Sequence, residues 1–108
     1  MSAELDANGY AASKAALLSL ARNLSAELIS RGIRLNAVSP GPIATPLYSK
    51  LGLSAADLKA TSAALQNQIP AKHFGKPAEI ASAVLFLASD ESAFTVGSEL
   101  IVDGGLSL

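Results

Sequence analysis

The 108 residues contain no cysteine and no tryptophan, one methionine and one histidine, His73. Without cysteine there is no disulfide framework, no thiolate nucleophile and no cysteine-rich zinc site. One imidazole does not make a metal centre, and His73, beside Phe74 and Gly75, reads as a surface or packing histidine. Charge is scarce too. Eight basic and nine acidic residues leave a net charge of −1, so nothing draws the chain towards phosphate backbones or anionic lipid, and nucleic acid and membrane drop out as partners. The most apolar helical stretch, residues 80–88, is far short of the roughly 20 needed to cross a bilayer. The start, Met1-Ser2-Ala3-Glu4-Leu5-Asp6, lacks the basic end and apolar run of a secretory leader, which predicts a cytoplasmic protein.

What is present favours a packed domain. Half the residues are apolar and mean hydropathy is +0.38, a composition that argues against disorder. With three phenylalanines and two tyrosines, alanine, leucine, isoleucine and valine have to supply the core. Leu17, Leu20, Leu24 and Leu28 recur at three- and four-residue steps, predicting a long amphipathic helix over about 7–31. Gly32 follows where a helix needs a left-handed terminal residue. Residues 33–39 then read as a strand, stopped by Ser39-Pro40-Gly41-Pro42. Ser54 with Asp57 marks the start of a second helix that reaches about Gln68. Pro77 and Glu79 suit the first turn of a third, with Ile80, Val84, Leu87 and Ala88 on one face. Residues 99–103 read as a second strand, and Asp103-Gly104-Gly105 as a turn. This order predicts an α/β fold with a parallel crossover, in which two strands alone leave unpaired edges.

Tyr10 and Lys14 stand four residues apart, about 6 Å along one helix face. A tyrosine hydroxyl, ordinarily near pH 10, has to be brought down by about three pH units to act as an acid/base near neutrality. One cation at 4 Å in bulk water contributes only about 1 kcal/mol, so such a site needs a drier setting and a second cation. The spacing alone is a weak signal, and its context is specific. Tyr10-Ala11-Ala12-Ser13-Lys14-Ala15-Ala16 precedes Ile33-Arg34-Leu35-Asn36-Ala37-Val38-Ser39-Pro40-Gly41, then Thr45-Pro46 and Val102-Asp103-Gly104-Gly105. Over residues 10–105 this resembles the short-chain dehydrogenase/reductase family.

The resemblance implies the carboxy-terminal part of a Rossmann-like, doubly wound parallel sheet, here a single partial domain over 1–108 with residues 1–9 a leader without a recognised motif. It implies NAD- or NADP-dependent hydride transfer between an alcohol and a ketone. Tyr10 would exchange the proton at the substrate oxygen, and Lys14 would bond the nicotinamide ribose and favour the phenolate. Pro40 and Gly41 would lie beside the nicotinamide, with Ile43 and Thr45 on its carboxamide. The family's glycine-rich phosphate loop, its Asn-Ala-Gly motif and its serine thirteen positions before the tyrosine do not occur in these residues. Catalysis therefore requires a complementary amino-terminal-half subunit or segment. The alternative is a non-catalytic homo-oligomer whose apolar helices and open strand edges associate. Residues 47–68 correspond to the family's substrate loop and nearby helices.

Overall fold

The computed structural model describes residues 3–44, 52 and 54–108. The first helix, α1, spans Ala3–Leu28, so most of the expected leader is helix. Alanine and leucine propagate a helix well. A 3-10 turn, Ile29–Arg31, follows, and Gly32 closes it at φ 74° with its amide on the Ile29 carbonyl, as the sequence suggests.

The first strand, β1, is Ala37–Pro40, shorter than the predicted 33–39. Its partner β2, Glu99–Val102, lies parallel, with Ala37 opposite Glu99 and Pro40 opposite Val102. Upstream of Glu99 there is no strand for residues 33–36 to pair with; beyond the Gly97 amide on the Leu35 carbonyl at 3.0 Å, side chains hold this stretch to the segment before β2. Arg34 donates to the Ser92 and Thr95 carbonyls at 2.9 and 3.2 Å, to the Ser92 hydroxyl at 3.1 Å and to the Ser89 carbonyl at 3.0 Å. Asn36 donates to the Thr95 carbonyl and accepts from the Ser98 amide and hydroxyl.

Helix α2, Ala55–Gln68, is capped by Ser54, whose hydroxyl accepts from the Asp57 amide. Helix α3, Pro77–Ala88, starts with proline in its first turn, and Glu79 reaches back to the Lys76 amide. Both beginnings follow the sequence signals. A 3-10 turn, Asp90–Ser92, follows α3 and carries two of the Arg34 acceptors, the Ser92 carbonyl and hydroxyl.

The packed core predicted from composition is not formed among the described residues. Ile69 is their one fully buried apolar side chain, with Ser25 and Ser92 the buried polar ones. On α1, Leu17 and Leu20 are 59% and 54% exposed, and Leu85 of α3 is 70% exposed. The accessible surface is 7806 Å², against about 5,600 Å² for a compact monomer of this mass. The radius of gyration is 16.9 Å, against about 13 Å. A two-stranded sheet is too narrow to cover a 26-residue helix on one side and α3 on the other. What joins α1 to the sheet is polar: the buried Ser25 hydroxyl donates to the Leu35 carbonyl at 3.1 Å.

Candidate functional site

Two loops leave the carboxyl ends of the parallel strands side by side, which is where open α/β sheets bind ligands. The first is Pro40-Gly41-Pro42-Ile43. Gly41 donates to the Val102 carbonyl at 2.9 Å, extending the β1–β2 ladder by one bond. Farther on, Ile43 forms a parallel bridge with Gly75: the Gly75 amide donates to the Pro42 carbonyl and the Ala44 amide to the Gly75 carbonyl. Those bonds flank Ile43 and leave its own amide and carbonyl on the opposite side of the bridge, without a bond among the described residues. The second loop is the turn after β2, where Asp103 accepts from the Gly105 amide at 2.9 Å and the Ser107 amide at 3.0 Å. The Ser107 hydroxyl, then the backbone amides of Gly105, Ser107 and Leu106, hold the Asp103 carboxyl below its ordinary 3.8, with desolvation acting in the opposite sense.

Tyr10 and Lys14 lie on α1, both exposed, Tyr10 at 69%. Neither makes a hydrogen bond or ion pair among the described residues, and none ties them to the Pro40–Ile43 loop. Thr45, and most of the stretch before Ser54, lie outside the described residues.

His73 is exposed, its Nδ1 2.9 Å from the Phe74 carbonyl oxygen. No cluster among the described residues suits a metal ion. No described helix is long and apolar enough to cross a membrane. A groove of about 640 Å³ is lined by Leu18, Arg22, Leu35 and Gly97 among others. It lies at the amino ends of the strands, away from the loops, and is the space under α1 that the narrow sheet leaves open.

Arg34 and Asn36, which the sequence reading leaves without a role, brace the approach to β1, and Asp103, read there as part of a turn, organises the loop after β2. Arg34 and Asn36 sit inside the Ile33–Gly41 signature, and two polar residues in a stretch read as a strand were the available signal.

The chain was compared with known proteins. The sequence profile of the family described as enoyl-(acyl carrier protein) reductase matches residues 2–107. The 3-oxoacyl-(acyl-carrier-protein) reductase of Thermotoga maritima is 47% identical over 97 residues, 90% of this chain and 37% of that protein. The glucose 1-dehydrogenase of Gluconobacter oxydans is 44% identical over 100 residues, 93% of this chain and 36% of that protein. The ligand-free aldohexose dehydrogenase of Thermoplasma acidophilum superposes with a TM-score of 0.82 at 36% identity, over 93% of this chain and 41% of that one. The chain thus spans about two-fifths of these relatives' length.

Proposed function

The chain belongs to the short-chain dehydrogenase/reductase family, matching its carboxy-terminal region, and we propose that it supplies the proton-transfer and nicotinamide-side part of an oxidoreductase acting on an alcohol or ketone. When bound, NAD or NADP would accept or deliver hydride. The chain's own residues fit such a group. Lys14 is exposed, with no partner among the described residues, and could donate to a ribose hydroxyl. Ile43 turns its amide and carbonyl away from the Gly75 bridge, unbonded among the described residues, and together they make the complementary pair that a carboxamide requires. Tyr10 would pass a proton to or from the substrate oxygen. What supports this reading is the Tyr10/Lys14 pair, four residues apart on one exposed helix, in a chain that also carries a loop at the carboxyl ends of its paired strands.

The exposed phenol also says what the site needs. Water around Tyr10 screens Lys14, so the two groups act together only when another element covers that face. The phosphate loop and catalytic serine, which these 108 residues lack, have to come with it. A complementary amino-terminal-half segment fits both needs. The test is native mass spectrometry of the protein from its own source, followed by NADH and NADPH titration of the isolated species. A larger partner together with nucleotide binding supports the reading; failure of every isolated species to bind either nucleotide removes its enzymatic part.

A second reading rests on the uncovered surface. The excess over a compact monomer, about 2,200 Å², is as large as a stable interface. Copies of the chain covering one another would make a non-catalytic homo-oligomer. Species found only at multiples of 10.9 kDa, without nucleotide, would favour it.

A further inference from the structure

The turn after β2 does more than reverse the chain. Asp103 accepts two backbone amides within it and so holds Gly104 and Gly105 at φ 65° and 92°. Its outer face touches the candidate loop: a Cβ on Gly41 would stand 2.6 Å from the Asp103 Cβ and 2.7 Å from its Cα. On its other side, the Gly104 carbonyl accepts from the Ala71 amide at 2.9 Å. There, a Cβ on Gly104 would come within 2.8 Å of the buried Ile69 side chain. Only a cavity of about 50 Å³ separates Asp103 and Ile43 from His73 and Glu79. The turn is therefore gripped from behind by the segment after α2 and pressed in front against Gly41.

We propose that Asp103 is the positioning residue for the Pro40–Ile43 loop: its carboxylate sets the turn after β2, and the turn sets where Gly41 lies. The proposal rests on the reading of that loop as a nicotinamide contact. Because the carboxyl is held below its ordinary value, it is ionised at neutral pH, the form that accepts two amides. His73 and Glu79 are the other ionisable groups facing the cavity; Glu79 is occupied by the Lys76 amide. Asp103 would act on the cofactor only through Gly41 and Ile43, as a support.

Asp103→Asn keeps the size of the side chain and the acceptor for Gly105 and loses the acceptor for Ser107. In the assembled protein at neutral pH, amide exchange at Gly41 is expected to rise about tenfold, the scale of one lost hydrogen bond. Exchange at Leu100, inside the strand pair, stays unchanged, and the Kd for NADH rises about tenfold. Gly41 exchange equal to wild type overturns the proposal, since Asp103 then caps only its own turn. Equal acceleration at Leu100 also overturns it, since the effect is then general loosening. Faster exchange at Gly41 alone, with NADH bound by neither form, supports the positioning role and removes the cofactor reading instead. If Asp103→Asn does not fold, Ser107→Pro at an exposed position removes one donor, and the same comparison decides.

Discussion

Replacing Arg34 with alanine tests whether polar struts carry this fold. The guanidinium donates to four oxygens of one turn, at 2.9, 3.0, 3.1 and 3.2 Å, from a half-buried position. A hydrogen bond from a charged donor is worth about 1.5–3 kcal/mol, and four from one fork do not add in full. Alanine also leaves the Ser89 and Thr95 carbonyls without this donor. A loss of about 3 kcal/mol follows, which for a domain of about 100 residues lowers Tm by roughly 12–24 °C. The assay is thermal and urea unfolding of the assembled protein beside Arg34→Lys and Ser92→Ala, with the double mutant closing a cycle. Lysine recovers only part of the loss, because one ammonium cannot span the acceptors that a planar fork reaches together. A cost below about 1 kcal/mol for Arg34→Ala, within the range of an ordinary surface change, would refute the reasoning.

Gly41→Ala puts a methyl against the Asp103 backbone, which cannot swing aside as a side-chain tip would. It should cost about 1–3 kcal/mol, read by urea midpoint, and a midpoint equal to wild type would show the contact is loose. The Asp103 carboxyl is depressed in the fold from 3.8, so its stabilising contribution is fully present above that pH and is lost as the pH falls through the lower folded value. Asp103→Asn should therefore flatten the acid limb of a stability-versus-pH curve, and an unchanged limb would contradict this. In the nucleotide-binding assembly, Tyr10→Phe should cut turnover at least about a hundredfold with the NADH Kd within about twofold. Lys14→Ala should weaken NADH binding and turnover together. Retained turnover in Tyr10→Phe would remove the tyrosine from the chemistry.

Element order and ends were legible in the sequence because they depend on local chemistry. Ser54 caps α2, Pro77 and Glu79 start α3 and Gly32 closes the turn after α1, each through groups within a few residues of one another. Strand bounds were less legible. Leu35 and Ile33 look like strand residues, yet pairing begins only at Ala37 because the partner begins at Glu99, a fact of tertiary register. Burial was least legible. The leucine stripe of α1 is a correct sign of a face that needs cover, and the cover is not among the described residues. The Tyr10/Lys14 pair was readable as a spacing. The dependence of the Pro40–Ile43 loop on Asp103, sixty-two residues after Gly41, was not, since nothing in either segment alone announces a contact between glycine and aspartate.

The joints of this unit are directional while its apolar faces stand open. Ser25, Arg34 and Asn36 fix the helix-to-sheet angles through hydrogen bonds, and a hydrogen bond, unlike a greasy contact, is lost when the angle drifts. The receiving surface therefore keeps its shape before anything arrives on it. In the assembly proposed above, an incoming segment would meet a mould already set, with little ordering left after the first encounter. Its association would then be governed by how often the two bodies collide in the right orientation, at about 10⁵–10⁷ M⁻¹s⁻¹ as in ordinary docking, instead of by the slower search of two chains folding around each other.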